Sequence, residues 1–376
     1  NELTGLLTCS AGLAFADLLK TFVPKGWFLP VTPGTQFVTV GGAIASDVHG
    51  KNHHLDGSFS QHLTQLKLVI ASGETLTCSQ TENRLLFLAT CGGMGLTGVI
   101  VEASFKLIPI ESAYVSETTH KTANLAETLA LFEHHEQATY SVAWIDCLAT
   151  GDQLGRSLLM LGEHTPKDAL DTETENLLKP ANPSRFNVPF SMPNSLLNPY
   201  SIKAFNALYY HKTRQKQSQR QVHYAPYFYP LDSIQNWNRL YGKKGFTQYQ
   251  FVLPKTAGLE GMTHILKTIS DSKRGSFLAV LKAFGKGNDN YLSFPMEGYT
   301  LALDFKMDSS LLAFLDQLDE IVLSYGGRLY LAKDARMSEA TFKQSYPNWE
   351  AFQEVRASVE AIGHFSSLQS QRLGLL

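Results

Sequence analysis

The stretch from Pro33 to Leu63 concentrates residues that can approach or hold a ligand, since it contains five glycines and four histidines. Glycine costs backbone entropy, so a folded chain keeps it where a Cβ would collide with something. The apolar, β-branched residues 37–40 argue against a flexible linker. We interpret this stretch as a short strand over 37–40, a Gly41-Gly42 turn, a helical turn over 43–46 and then a loop. It predicts that the backbone passes close to a large flat or phosphorylated ligand.

His49, His53 and His54, together with Asp47, are residue types that bind metal ions. The glycine and asparagine between them break helical presentation, so no HExxH-type geometry is available. Imidazoles near glycine turns are more often hydrogen-bonded parts of the scaffold. We therefore predict no metal site here.

Two lysines follow apolar strand residues, Lys282 in VLKAF and Lys333 in LYLAKD. Each can simply lie along the surface with its ammonium in water. Alternatively, a fixed ammonium stabilises developing negative charge or holds a substrate hydroxyl or phosphate. Gln248 and Gln250 lie two apart in a predicted strand and so face one side. That pair fits either sugar-hydroxyl recognition or an exposed polar sheet face.

Residues 93–98, GMGLTG, formally match GxGxxG. A nucleotide-binding Rossmann loop needs a strand before it and a helix after it. Here a predicted helix over 84–90 precedes the motif, and a predicted strand over 99–107 follows it. We therefore reject the Rossmann interpretation and predict a glycine turn that begins a strand.

A family resemblance starts in the same glycine-rich stretch. TVGGAIASDVHGKNHH, residues 39–54, resembles the signature of the vanillyl-alcohol-oxidase-type flavoproteins and, more narrowly, of the polyprenyl-phosphoryl-ribose oxidases. The similarity covers nearly the whole chain, through GGMGLTGVI, HYAPYFYPLD, WNRLYG, QYQFVLP, LKAFG and GGRLYLAKDAR in that order. The first motif specifies the superfamily, and the ordered set specifies the narrower family.

The resemblance implies an α+β fold with three parts. These are the second half of a PCMH-type FAD-binding domain (1–112), an antiparallel-sheet substrate domain with helices on one face (113–326) and a C-terminal return to the FAD domain (327–376). Family members begin with a smaller FAD subdomain whose glycine-rich loop binds the pyrophosphate, and no such loop precedes Asn1. We expect that subdomain, with any targeting signal, to be missing and FAD binding to be weakened accordingly.

The family also implies non-covalent FAD and assigns roles to individual residues. Lys333, Lys282 and His49 are the expected catalytic residues, with Lys333 stabilising negative charge on the reduced flavin. The expected cofactor-binding residues are Gly34, Thr39, Val40, Gly41, Gly42, Ser46, Asp47, Val48, His49, Ile100 and Tyr330. The expected substrate-binding residues are Lys51, Trp144, Phe228, Asn238, Arg239, Gln248, Gln250, Thr300 and Ala302.

Two positions depart from the family pattern. Mycobacterial members have an active-site cysteine where this chain has Ala302. Oxidation by a flavin does not need that thiol, but chemistry that depends on the thiol should be absent. Thr300 replaces an amide residue, so the sugar contacts are expected to differ from those of the mycobacterial members.

Composition agrees with a globular enzyme. The 376 residues are 44% hydrophobic and 18% charged, and the net charge of −2 gives no drive toward nucleic acid. The four cysteines show no CxxC spacing and are too few to staple the chain. No apolar run approaches the length of a membrane span.

Periodicity predicts the main elements of the second lobe. Helices are expected at 125–136, 257–270 and 310–325, and strands at 141–146, 247–253, 276–282 and 299–305. Residues 179–229 look mostly loop-like, and the basic run 212–220 is a solvated disordered loop, a lid or a contact with anionic lipid headgroups. Two helices, over 342–356 and 359–376, are expected at the C-terminus, with a loop at Tyr346-Pro347.

The sequence therefore predicts an FAD-dependent oxidoreductase. It would oxidise a secondary alcohol of a sugar, namely the ribose 2′-hydroxyl of a polyprenyl-phosphoryl ribose, and a separate short-chain NAD(P)H-dependent reductase would complete an epimerisation. One alternative is a soluble alditol or aldonolactone oxidase, and another is a flavin-free binding fragment. The expected location is the cytoplasm or the periphery of the inner membrane, with no nucleic-acid partner.

Overall fold

The computed structural model describes residues 1, 3–170, 176–181, 186–193 and 195–376. The described strands are β1 (Leu6–Ser10), β2 (Trp27–Phe28), β3 (Leu63–Val69), β4 (Thr75–Cys78), β5 (Val99–Lys106), β6 (Ile108–Pro109), β7 (Tyr114–Thr122), β8 (Tyr140–Ile145), β9 (Ser157–His164), β10 (Phe186–Asn187), β11 (Gln217–His223), β12 (Ile234–Gln235), β13 (Phe246–Pro254), β14 (Ala279–Phe284), β15 (Gly298–Lys306) and β16 (Arg328–Leu329). The α-helices are α1 (Phe15–Phe22), α2 (Val40–Ala45), α3 (His53–Asp56), α4 (Arg84–Thr90), α5 (Leu125–His134), α6 (Pro199–Lys212), α7 (Tyr224–Phe228), α8 (Gly258–Asp271), α9 (Leu311–Ser324), α10 (Glu339–Ser345), α11 (Trp349–Ser358) and α12 (Leu368–Arg372).

The first lobe is built on an antiparallel sheet of four strands in the order β1-β5-β3-β4. Its core face packs against α1, α2 and α4, whose apolar residues are buried. The glycine-rich stretch forms α2, which begins after the cap residue Thr39, whose hydroxyl accepts a hydrogen bond from the Gly42 N–H at 3.1 Å.

The second lobe is built on an antiparallel sheet of eight strands in the order β11-β7-β9-β8-β14-β15-β13-β16. Helices α5, α8 and α9 cover one face of this sheet. On that face, Phe132 of α5 packs on Tyr299 of β15, and Tyr249 of β13 donates to Asp319 of α9 at 2.9 Å. Because side chains alternate along a strand, the residues between these positions point to the opposite face.

The C-terminal helices return to the first lobe, where α11 packs on α4. Arg356 of α11 is fully buried, and its guanidinium donates to the backbone oxygens of Leu96, Leu375 and Phe365. These bonds satisfy the buried charge and tie the end of the chain to the turn before β5.

The predicted elements of the second lobe are confirmed, with ends shifted by a few residues, but several local predictions elsewhere in the chain are wrong. Residues 37–40 form no strand beyond one bridge between Thr39 and Ala14, and both Gly41 and Gly42 lie within α2. The predicted loop at 179–229 contains α6, β11 and α7, although its residues 182–185 and 194 lie outside the described part. The predicted helix over 359–376 is reduced to α12.

The basic run 212–220 is likewise not one disordered loop, because Lys212 ends α6 and residues 217–220 belong to β11, which pairs with β7 along its whole length. As an edge strand with mostly exposed residues, β11 lacks the alternation of apolar residues that marks a half-buried strand. Among the helices that the structure describes, none is both long and apolar enough to cross a membrane.

Candidate active site

A row of polar side chains lies on the face of the eight-stranded sheet opposite α5, α8 and α9. The strand register pairs Lys282 with Thr300 and places Gln250 beside Ala302. Val280 pairs with Ala302 on one side and with Trp144 on the other, which brings β8 into the same row. This surface, called here the polar sheet face, consists of Trp144, Gln248, Gln250, Lys282, Thr300, Ala302 and Asp304. The structure thus brings together six residues that the sequence assigned to catalysis or substrate binding.

His49 contacts the polar sheet face from the first lobe. Its Nε2 lies 3.0 Å from the Gln250 amide nitrogen, which also donates to the Thr300 hydroxyl at 3.1 Å. An amide nitrogen can only donate, so Nε2 accepts and the ring proton of a neutral His49 lies on Nδ1. Burial, then the charge of Lys282, the ring of His53 and the charge of Lys333 lower the pKa of His49 well below its usual range. His49 is therefore a neutral imidazole at physiological pH.

The Nδ1 atom of His49 is buried and finds no hydrogen-bond partner among the described residues. The ring lies between Phe284, at 4.8 Å between centroids, and Tyr330, at 5.1 Å. Tyr330 in turn stacks on Phe294 at 4.5 Å, and its hydroxyl donates to the Ser46 carbonyl at 3.3 Å. An unpaired buried donor between aromatic rings is a position that a ligand can satisfy.

The ammonium groups of Lys282 and Lys333 lie close enough to repel each other. Burial, followed by repulsion from Lys333, lowers the pKa of Lys282 to about 8. Lys333 follows β16 in a short turn; part of the residue is exposed, but burial lowers the pKa of its ammonium against the opposing charge of Asp304. Because the like charges of the two ammonium groups oppose each other, an anionic ligand bound between them would relieve the repulsion.

Asp47 is fully buried in the same stretch, in a left-handed conformation with φ of 39°. Its carboxylate accepts hydrogen bonds from the Ser60 N–H, the Asn288 and Asn290 amides and the Ser293 hydroxyl, at 2.6–3.1 Å. The sequence assigned Asp47 to the cofactor, but these hydrogen bonds engage its side chain within the protein. The structure thus places the Asp47 side chain as a link between the glycine-rich stretch and residues 288–293.

The comparisons with known proteins agree with this geometry. A model of the FAD binding domain matches residues 1–79, and a model of D-arabinono-1,4-lactone oxidase matches residues 246–373. The D-arabinono-1,4-lactone oxidase of Yarrowia lipolytica is 34% identical, but over only 30% of this chain and 21% of its own length. A protein of Streptomyces coelicolor described as uncharacterised, from the mprA 5′ region, is 32% identical over 95% of this chain and 99% of its own.

Decaprenylphosphoryl-β-D-ribose oxidase of Mycolicibacterium smegmatis is 39% identical to this chain, over 99% of this chain and 82% of its own length. This chain belongs to the decaprenylphosphoryl-ribose oxidase family. It is therefore an FAD-dependent oxidoreductase, and its mixed helical and antiparallel fold agrees with that family.

The residues of this family member fit FAD on two observations. The buried Nδ1 donor of His49 lacks a partner among the described residues, and two opposing ammonium groups lie nearby. Gly34 and Gly42 are exposed, and a Cβ at Gly34 would meet nothing within 4 Å, so the rim of the glycine-rich stretch is open. Ile100 of β5 is half-buried and lies beside Leu68.

The backbone N–H groups at the start of α2 are engaged within the protein. The N–H groups of Val40 and Gly41 donate to the carbonyls of Leu13 and Ala11, and the Gly42 N–H donates to Thr39. Gly41 permits a close approach to the end of β1, because a Cβ there would lie 3.2 Å from the Ala11 Cβ.

Lys51 and Phe228 lie together at the edge of the site. The Lys51 ammonium donates to the Tyr227 carbonyl and lies 3.9 Å from the centre of the Tyr227 ring. Burial lowers the pKa of Lys51 to about 7, against an opposing effect from Glu117. Phe228 is only 2% exposed and packs on Phe28 and Tyr140, so it supports Lys51 from the core.

Two other expected substrate residues lie away from the polar sheet face. The Arg239 guanidinium donates to the carbonyls of Val188 and Pro189, at 2.9 and 2.8 Å, and so holds a surface segment in place. Asn238 is exposed on the same short turn. Trp144, in contrast, lies in the row, with its indole N–H bonded to the Phe277 carbonyl and its ring 4.7 Å from that of Tyr209.

Sequence reasoning missed Asp304, which belongs to the polar sheet face. Its side chain is buried, it pairs across the strands with Gln248, and Tyr241 donates to it at 3.5 Å. Burial raises the pKa of Asp304 to about 6, against the effects of the Gln248 hydrogen bond and the Lys333 charge. The sequence could have indicated Asp304, because it lies two residues after Ala302 and four after Thr300 and so faces the same side of the strand.

Proposed function

We propose that this protein oxidises the 2′-hydroxyl of the ribose in a polyprenyl-phosphoryl ribose to a ketone. The observation that carries the proposal is the polar sheet face: an ammonium, two amides and a hydroxyl converge beside His49, in a chain 39% identical to an enzyme named for decaprenylphosphoryl ribose. Hydroxyl and amide groups recognise sugar hydroxyls, and an ammonium recognises a phosphate.

The oxidation removes a hydride from C2′ and a proton from O2′, and FAD when bound accepts the hydride. In the proposed arrangement Tyr330, His49 and the backbone around Ser46 and Val48 hold the cofactor, with His49 as a neutral N–H donor. Lys333 places positive charge where negative charge develops during the reaction.

The remaining groups of the polar sheet face act on the substrate. Lys282 binds the anionic headgroup, while Gln248 and Gln250 orient the hydroxyls. Asp304 accepts the proton from O2′, because its raised pKa of about 6 leaves it ionised, but still an effective base, near neutral pH.

Epimerisation to arabinose requires that the ketone be reduced from the opposite face. The proposal therefore includes a short-chain NAD(P)H-dependent reductase as a functional partner. Because the substrate is lipid-linked, it also includes peripheral contact with the membrane that holds the substrate, from the cytoplasm or at the inner membrane.

One observation favours a second candidate, oxidation of an aldonolactone, since residues 246–373 match the lactone oxidase model. That match covers β13, β14 and β15 of the polar sheet face but neither β8 nor α6, and the lactone oxidase relative covers only 30% of the chain. The ribose oxidase relative extends over 99% of it, which favours the lipid-linked sugar.

The identity of the product distinguishes oxidation of the ribose 2′-hydroxyl from oxidation of an aldonolactone. The full-length protein with FAD is incubated with a short-chain prenylphosphoryl ribose and an electron acceptor, and the product is reduced with borodeuteride and analysed by NMR. We expect deuterium on C2 in both ribose and arabinose configurations. Deuterium on another carbon, or a lactone product, would overturn the proposal.

A further inference from the structure

The outward side of α6 is unusual for a helix that lies on a protein surface. Tyr200 and Leu208 are 86% and 74% exposed, and Ala204, which lies between them at the i+4 spacing, is also exposed. These three residues form one apolar stripe along the helix. Exposed Lys203 flanks the stripe on one side, and exposed Lys212 lies on the other, with its ammonium 3.6 Å from the centre of the Tyr209 ring. We call these five residues the outer face of α6.

The inward side of α6 is fixed to the site. Asn206 is fully buried and donates to the Asp146 carboxylate at 2.9 Å, and Tyr209 packs on Trp144 of the polar sheet face. Tyr210 donates to the Thr122 carbonyl at 2.9 Å. The exposed stripe therefore lies on a rigid element whose opposite side contacts the row of proposed substrate residues.

The sequence segment that contains α6 carries charge of one sign. Between Glu175 and Asp232 the sequence contains seven lysines and arginines and no aspartate or glutamate, in a chain whose net charge is −2. Lys243 and Lys244 add exposed positive charge near the start of α6. The Met307 N–H donates to the Gly245 carbonyl, and the ammonium of the preceding residue, Lys306, donates to the Leu197 carbonyl just before α6. An apolar stripe flanked by lysines, within a sequence segment free of carboxylates, is complementary in charge to an anionic membrane surface.

We propose that the outer face of α6 docks the protein on an anionic lipid bilayer, with the apolar stripe at the level of the headgroups and the lysines on lipid phosphates. The inference rests on the proposed lipid-linked substrate, which resides in such a bilayer. Docking through α6 would place the substrate end of the polar sheet face next to the membrane. The sugar headgroup could then reach the site while the prenyl tail stays near the bilayer.

The test measures binding of the full-length, FAD-loaded protein to vesicles without any substrate, so that its result does not depend on the reaction. We expect co-sedimentation with phosphatidylglycerol vesicles, much weaker binding to phosphatidylcholine vesicles and loss of binding at high salt. The double variant Tyr200→Glu/Leu208→Glu should bind phosphatidylglycerol vesicles at least about tenfold more weakly, as should Lys203→Gln/Lys212→Gln.

A matched control is Leu368→Glu, which changes an apolar side chain that is 85% exposed on α12. It should bind vesicles like the wild type, and thermal melting should show that every variant is folded. Oxidation of a dispersed short-chain substrate should be unchanged in the Tyr200→Glu/Leu208→Glu variant. Equal binding to neutral vesicles, unchanged binding by the α6 variants, or a self-association that these variants abolish would overturn the inference.

Discussion

Burial fixes the chemical role of His49. A histidine exposed to water is partly protonated near neutral pH, but this ring is 5% exposed and lies near two lysines, so the neutral form is favoured. Its Nε2 is already occupied by Gln250. His49 is therefore a fixed link between the lobes, and we propose that it donates to the cofactor through Nδ1 and does not serve as the base of the reaction.

Lys333 and Lys282 should differ in what they contribute. Lys333→Met in the full-length protein should slow flavin reduction about 100-fold or more, as for the loss of one preorganised charge-stabilising group. Lys282→Met should mainly weaken substrate binding, because its ammonium is assigned to the substrate headgroup. Anaerobic stopped-flow measurements over a range of substrate concentrations separate the two effects. Wild-type rates and affinities in both variants would contradict these assignments.

The titration of Asp304 should make the rate of flavin reduction depend on pH. Its pKa is raised to about 6, so the carboxylate is ionised and able to accept a proton above pH 6 and is neutral below it. The rate of flavin reduction should therefore fall about tenfold per pH unit below about pH 6. Asp304→Asn should be slow at all pH values and should lack this acidic limb. An unchanged acidic limb in Asp304→Asn would assign the titration to another group.

We predict that Ala302 makes this protein insensitive to inhibitors that bond a thiol in the substrate pocket. Burial raises the pKa of Cys9 and of Cys78 to about 11 and that of Cys147 to about 12, and it also raises the pKa of Cys91. These thiols are therefore protonated and poorly reactive.

Introducing Ala302→Cys should create the sensitivity, because position 302 lies in the polar sheet face between Gln250 and Val280. Ala283→Cys is the matched control, since residue 283 points to the opposite face of the sheet. Mass spectrometry after turnover should show an adduct only on Cys introduced at 302. A turnover-dependent adduct on a native cysteine would refute the prediction.

At the scale of elements, the sequence predicted those whose pattern is set by one buried face. Strands β13 and β15 alternate in the expected way, so the positions of Gln248, Gln250 and Thr300 on one face could be foreseen. Helix α6 and strand β11 could not, because α6 carries apolar residues on both sides and β11 is a polar edge strand. The start of α2 depends on the Thr39 cap, which outweighs the poor helix propensity of two glycines.

The glycine-rich stretch is held in place by Asp47, whose replacement should be costly. Asp47→Asn puts an amide nitrogen opposite donors from Asn288, Asn290 and Ser293, and leaves at least one buried donor without an acceptor. We expect the free energy of unfolding to fall by about 3 kcal/mol or more. Asparagine tolerates the left-handed backbone as well as aspartate does, so the change reports on the hydrogen bonds.

Urea unfolding of the two proteins measures this difference. Asp56→Asn is the control, because Asp56 is exposed and its carboxylate accepts one side-chain hydrogen bond, from Asn52. That variant should unfold close to the wild-type midpoint. An Asp47→Asn variant as stable as the control would show that the buried cluster does not stabilise the fold.

At the scale of the whole molecule, the site exists only where the two lobes meet. His49 bonds Gln250, Tyr330 bonds Ser46, and Asp47 bonds Asn290, and each pair joins residues at least 200 positions apart. Local sequence patterns predict no such contacts, and the family resemblance alone indicated that these segments belong to one site. The proposed division of the chain near residues 112 and 326 therefore separates the groups of one site. His49 lies before the first boundary, Lys282 lies between the two, and Lys333 lies after the second.

The most direct test of the central claim is substrate-dependent reduction of the flavin in the full-length protein under anaerobic conditions. The loss of flavin absorbance is followed after mixing with a prenylphosphoryl ribose, and separately with free ribose, xylitol or gulonolactone. The account predicts rapid reduction by the prenylphosphoryl ribose and none by the other three on the same timescale. Efficient reduction by a free polyol or lactone would contradict the account and support the soluble oxidase instead.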